Sequence, residues 1–135
     1  MADHNDRGHR GEEIALKHLR QQGYRIEALN WQSGRRELDI VASTSRELVV
    51  VEVKTRTEGF LLAPEEAVDA RKRRLLSESA HHYVRMYAID LPVRFDIISV
   101  VLNADGSCKR IEHRENAFPL LLKRSQRSTP RRRRL

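Results

Sequence analysis

Apolar positions recur along the chain with two periods, and the change from one to the other marks out the elements. From Arg10 to Gln22, Ala15, Leu16 and Leu19 fall on one helical face together with Glu12, whereas Glu13, Lys17 and Arg20 fall on a polar one. This predicts an amphipathic helix stopped by Gly23. Tyr24 to Asn30 alternates only in part and predicts a first strand, and Ser33-Gly34 a turn after it. Leu38-Asp39-Ile40-Val41-Ala42 and Leu48-Val49-Val50-Val51-Glu52-Val53-Lys54 predict two more strands, the second β-branched enough to be buried on both faces. The polar break Ser43-Thr44-Ser45-Arg46 is short enough to make them an antiparallel hairpin. Gly59-Phe60-Leu61-Leu62 reads as a mobile loop, and Pro64 as the first turn of a helix running to about Tyr87. Its apolar stripe holds Val68, Leu75, Leu76, Ser79, Tyr83 and Tyr87, with Lys72 on the same stripe. Leu91-Pro92 ends that helix. Val93 to Leu102 predicts a strand with Phe95, Ile97, Ser99 and Val101 on one face and Arg94, Asp96, Ile98 and Val100 on the other. After a turn at Asn103-Ala104-Asp105-Gly106, Lys109 to His113 predicts an edge strand and Asn116 to Leu122 a final short helix. Residues 1–8 and 123–135 carry no such pattern and are expected to be disordered ends around one domain, 9–122.

Composition narrows the picture. A chain of 135 residues holds one domain with a real core. The single Cys108 excludes an internal disulfide framework and a cysteine metal cluster. The polar start lacks an apolar h-region, and no apolar run approaches membrane-spanning length. No membrane association and a cytoplasmic location are the expectation. The net charge of +7 belongs to one segment: residues 123–135 hold seven Lys/Arg and no acid, which leaves 19 basic and 19 acidic residues before them. The tail, with Arg131, Arg132, Arg133 and Arg134, is either a non-specific nucleic-acid contact or a solubility feature.

The chemistry lies where charge interrupts the strands. Glu52 and Lys54 are two apart and project from one face at the end of a core strand. An antiparallel partner strand brings Asp39 toward them. Two neighbouring carboxylates repel, and a divalent cation between them relieves that. Asp and Glu oxygens without Cys or His suit Mg²⁺ or Mn²⁺. Lys54 is then placed to orient or deprotonate a water, or to stabilise phosphate charge. The plainer alternative is a Glu–Lys ion pair at a strand end. Arg56 follows the site in sequence, and Arg35 and Arg36 precede the Asp39 strand; all three are phosphate-contact candidates, the last two equally explained as solvated surface. Lys72 either snorkels or points at the site. Trp31 reads as packing more than as a base-stacking platform, and the adjacent His81 and His82 diverge on a helix and make a poor metal pair.

Gly11-Glu12-x-x-Ala15 with Leu19 and Gly23, Asn30-Trp31, Glu37-Leu38-Asp39-Ile40, Val51-Glu52-Val53-Lys54-Thr55-Arg56, Glu66-Ala67-Val68 with Lys72, and Arg94-Phe95-Asp96 together resemble the YraN-like family of small bacterial proteins. That family is similar to Holliday-junction resolvases of the PD-(D/E)XK superfamily. Arg36 stands where the family usually has Gly before Glu37. The resemblance implies an α/β fold with a restriction-endonuclease-like α-β-β-β-α-β core, a mixed central sheet flanked by helices. It implies metal-dependent hydrolysis of phosphodiesters in DNA, structured or branched DNA included, by Asp39, Glu52 and Lys54. Asp39 and Glu52 would be metal ligands and Glu12 an extra carboxylate of the site; favouring the helix dipole is the alternative for Glu12. Junction-cutting relatives act as dimers, since two symmetric cuts need two sites. The rival expectation is a non-catalytic nucleic-acid-binding or partner-docking protein on the same fold.

Overall fold

In the computed structural model the described residues are 4–59 and 68–121, with side chains described from residue 8 onward. The elements are α1 (His4–Gln21), β1 (Arg25–Ser33), β2 (Arg36–Ser43), β3 (Leu48–Thr57), α2 (Ala70–Met86), β4 (Val93–Leu102) and β5 (Cys108–Phe118). The five strands form one sheet in sequence order. β1, β2 and β3 pair antiparallel, β3 and β4 pair parallel across the α2 crossover, and β5 returns antiparallel to β4. This mixed sheet with a helix on each face is consistent with the expected restriction-endonuclease-like core, plus one edge strand.

Alternation along β3 divides the interior into two layers. Val49 and Val51 join Ala15 and Leu19 of α1, with Ile40, Ile98, Val100 and Leu102. Leu48 and Val50 join Leu76, Ala80 and Tyr83 of α2, with Val41 and Phe95. A strand facing two helices must be apolar on both sides, which is why its run is continuous. On the first layer the chain backbones come unusually close. A Cβ at Gly11 would lie 1.9 Å from the Thr55 hydroxyl and 2.9 Å from its Cβ, so only glycine lets α1 sit this near β3.

Four expectations change. α1 starts at His4 rather than Arg10, because a helix extending past its apolar stripe leaves no periodic signal. α2 starts at Ala70, because Asp69 caps it: its side chain accepts the Lys72 N–H at 2.9 Å. Residues 60–67, with the loop and the Pro64 start, lie outside the described residues. Leu75 and Tyr87 are each 50% exposed rather than inward, and the buried residues of α2 are Leu76, Ser77, Ser79, Ala80 and Tyr83. Finally, residues 116–118 are not a helix. They continue β5, where Phe118 pairs with Phe95 and stacks on it at 4.9 Å, and Asn116 N–H is held by Asp96 at 3.0 Å. Leu121 N–H then donates to Ser77 Oγ of α2 at 2.8 Å. Tertiary pairing overrides a weak local helix pattern there.

Candidate active site

Glu52 and Lys54 continue the α2 side of β3 beyond Val50, as alternation requires. Glu52 is 7% exposed and Lys54 half-buried. The β2–β3 ladder ends at Ile40–Val51. One step further, Val53 N–H donates not to a strand carbonyl but to Asp39 Oδ2 at 3.1 Å. The Asp39 carboxylate has taken the place of the ladder's next acceptor, where the two strands part. One of its oxygens is thereby bonded to backbone.

The two carboxylates feel one another. Burial pushes the Glu52 carboxyl up from 4.5 to about 7, the Asp39 charge adds to this, and Lys72 and Lys54 oppose it. Lys72 Nζ lies 3.4 Å from Glu52 Oε2, so the lysine on the α2 stripe points at the site. A buried acid between two lysines and beside a second carboxylate is a poor ion pair and a good hard-cation ligand. Its donor set, two carboxylates without nitrogen or sulfur, fits Mg²⁺ or Mn²⁺, which keep several waters.

Glu12 does not join them in one ligand set. Its Oε1 accepts the Asn30 side-chain amide at 3.2 Å, and among the described residues no three His, Cys, Asp or Glu are grouped to hold a metal. Arg35 and Arg36 are exposed at the tip of the β1–β2 hairpin. Gly34, with φ 66°, leads that two-residue turn, so the position of Arg36 is an ordinary strand position paired with Ser33 and has no need of glycine. Arg56 is half-buried near the end of β3. Arg131 to Arg134 lie outside the described residues. Trp31 packs edge-on against Tyr83 at 5.3 Å and donates to Tyr87 Oη at 3.2 Å. His82 meets Ser33 Oγ at 3.2 Å, also a packing role.

The opposite face of the sheet carries a polar network that sequence reading saw only in part. Arg94 grips Asp96, two residues on along the same strand face, with two hydrogen bonds of 2.9 and 2.8 Å. His113 Nε2 lies 2.7 Å from the same carboxylate, and its Nδ1 lies 3.1 Å from His18 Nε2 on α1. Arg94 also donates to Glu47 at 3.0 Å and to Tyr24 Oη at 2.6 Å. Burial pushes the Asp96 carboxyl up, yet the bonds from His113, Arg94 and Asn116 outweigh it and hold it below 3.8. His18 and His113 are separated by 95 residues in the chain, so no local signal could have joined them. The network ties α1, β4 and β5 together.

Residues 11–100 match the profile of a family described as Uncharacterised protein family UPF0102. The chain belongs to this family. A UPF0102 protein of Porphyromonas gingivalis is 96% identical over 135 residues, covering 100% of both chains. Those of Parabacteroides distasonis and Bacteroides thetaiotaomicron are 48% and 46% identical over 118 residues, covering 87% of this chain and 96% of theirs. The family match takes in Glu12, Asp39, Glu52, Lys54 and Lys72 and stops short of β5 and the basic tail. Among the described residues no helix is long and apolar enough to cross a membrane.

Proposed function

We propose that the protein is a metal-dependent nuclease that hydrolyses phosphodiesters in DNA, with a site of the PD-(D/E)XK kind. The observation that carries this is Glu52: a nearly buried acid, pushed up to about 7 by burial and by Asp39, with Lys72 and Lys54 on either side. Structural carboxylates are normally placed to stay charged at low cost, as Asp96 is; perturbed ones cluster at functional sites. Asp39 and Glu52 would hold Mg²⁺ or Mn²⁺, which when bound lowers the pKa of a coordinated water and offsets charge on the phosphate. Lys72 favours the ionised form of Glu52 and so prepares it as a ligand. Lys54 presents a cation to the attacking water or the phosphate oxygens. Glu12 acts from outside the direct ligand set, anchored through Asn30. Arg35, Arg36, Arg56 and the tail arginines supply phosphate contacts, which position DNA without reading its sequence.

The test is cleavage of branched, flapped, single-stranded and duplex DNA by the full chain with Mg²⁺ or Mn²⁺. Asp39→Asn and Lys54→Ala should each lower cleavage by orders of magnitude. One observation favours a second reading, a non-catalytic DNA binder: among the described residues no three His, Cys, Asp or Glu are grouped to hold a metal. A folded wild type that cleaves none of these DNAs, yet binds them equally well with either substitution, would establish that reading.

A further inference from the structure

The α2 side of the sheet is covered at one end and open at the other. α2 lies chiefly over β2, and Phe118 closes the covered end of β4 by stacking on Phe95. From Glu52 onward the register carries this side across β4 to β5 in two rows, Glu52–Ile97–Arg114 and Lys54–Ser99–Glu112. Ile97 packs with the α2 layer and Ile98 with the α1 layer, which sets the side of each row by alternation. Ile97 and Ser99 are half-buried, and Glu112 and Arg114 are exposed. One row further, Val101 is buried between Arg56 and Arg110, so the open strip ends there with Arg110 exposed at its corner. Ser99 places a hydroxyl among Ile97, Ile98, Val100 and Val101, in a stretch that is otherwise apolar. Among the described residues, no side-chain hydrogen bond or ion pair engages Ser99, Arg110, Glu112 or Arg114. The other Lys and Arg side chains of β4 and β5 are neutralised, Arg94 by Asp96 and Lys109 by Glu58.

We propose that this strip is a track for DNA: one strand lies along it by its phosphates, held by Lys54, the Ser99 hydroxyl, Arg114 and Arg110, and so reaches Glu52. This rests on the reading of Asp39 and Glu52 as a nuclease site and names the surface that feeds it. Charge complementarity selects the occupant. Unpaired guanidinium groups match phosphate oxygens with a fork of donors, and a hydroxyl donates to them without adding charge. Neighbouring strands stand about 4.8 Å apart, so the backbones at Arg114 and Glu52 are separated by about 10 Å, near enough for one DNA strand to touch both. Both arginines lie beyond residue 100, where the family match ends, so family membership does not assign them. Glu112 stands on the same side of β5 between the two arginines and opposes phosphate, so its removal and theirs should act in opposite senses.

The experiment measures binding of duplex and branched DNA by the full chain, without metal, over a series of salt concentrations. Arg110→Ala combined with Arg114→Ala should lower affinity by on the order of tenfold and reduce the slope of log affinity against log salt by roughly two. Ser99→Ala should lower affinity by roughly threefold and leave the slope unchanged, because a hydroxyl displaces no counterion. Glu112→Gln should raise affinity. The control is Lys17→Ala combined with Arg20→Ala, an equal change of charge at exposed positions of α1 on the other side of the sheet, which should stay within about twofold of wild type. A control loss equal to that of the β5 pair would mean that binding follows total charge, and would overturn the track. Arginine and Ser99 variants that bind like the wild type would overturn it too. A chain that binds through the strip yet cuts no DNA with Mg²⁺ or Mn²⁺ keeps the track and loses the nuclease reading. A chain that cuts DNA while indifferent to the β5 arginines keeps the nuclease reading and loses the track. A wild type that binds no DNA overturns both.

Discussion

Glu52 shows what one residue can reveal about the whole. A carboxyl raised from 4.5 to about 7 in the folded chain holds a proton there that the unfolded chain has already released. The folded state therefore loses stability from this group as pH rises from about 4.5 to about 7, by roughly 3 kcal/mol if it acted alone. His18, held below 6.5 by burial and by His113, works the other way: its contribution is lost as pH falls through 6.5. The raw pH profile mixes the two, so the informative measurement is a difference. Asp39→Asn removes the like charge and should flatten the Glu52 slope, making the metal-free protein equal to or more stable than wild type above pH 7. Thermal or urea unfolding at pH 5 and pH 8 measures this, and a variant destabilised equally at both would mean that Asp39 is held chiefly for its bond to Val53. Mg²⁺ or Mn²⁺ should reverse the order by stabilising the wild type more.

At the scale of elements, the contact of α1 with β3 carries the sharpest constraint. Gly11→Ala would place a methyl 1.9 Å from the Thr55 hydroxyl and 2.9 Å from its Cβ, and the Cβ contact does not change with the Thr55 rotamer. The substitution should cost about 1–3 kcal/mol, the range of overpacking, and displace Glu12 of the next position. Thr55→Gly in the same chain should recover part of that loss, and a double-mutant cycle in urea measures the coupling. No coupling would mean that α1 shifts freely. Opposite this contact, the Asp96 network fastens α1 to β5. Asp96→Asn strands Arg94, whose side chain is 13% exposed, and should destabilise by about 3–5 kcal/mol. The loss should shrink as pH falls below the carboxylate range, because wild-type Asp96 then loses its own advantage. A pH-independent difference would point to packing instead.

For the molecule as a whole, charge separates body from tail. The 19 acidic and 19 basic residues before position 123 cancel, and all seven surplus charges sit from Lys123 onward. Removal of residues 123–135 should weaken non-specific DNA binding and reduce the slope of log affinity against log salt by up to roughly six. Folding should persist, since the family match ends at residue 100 and the described core at 121. Binding and salt slope that match the full chain would place the phosphate contacts on the body, at Arg35, Arg36 and Arg56.

Much of the candidate site was legible because it is local. Asp39 and Glu52 are charges inside apolar strand patterns one hairpin apart, and Lys54 follows by the two-residue period. Lys72 stayed between two explanations in the sequence, and the structure places its Nζ 3.4 Å from Glu52 Oε2. The order of the elements followed from the same periodicities, and the fold class from the family resemblance. What only the tertiary structure decided depends on contacts across the chain. The left-handed backbone of Asn30 within β1 is a conformation that hydrophobic pattern does not encode. That Glu12 bonds Asn30 follows from where α1 rests, and Gly11 lets it rest against Thr55, two residues 44 positions apart in the numbering. His18, His113 and Asp96 meet because three elements converge, and β5 runs to Phe118 because Phe95 and Asp96 are there to receive it. Periodicity determines which side of an element is buried; only packing decides what it is buried against.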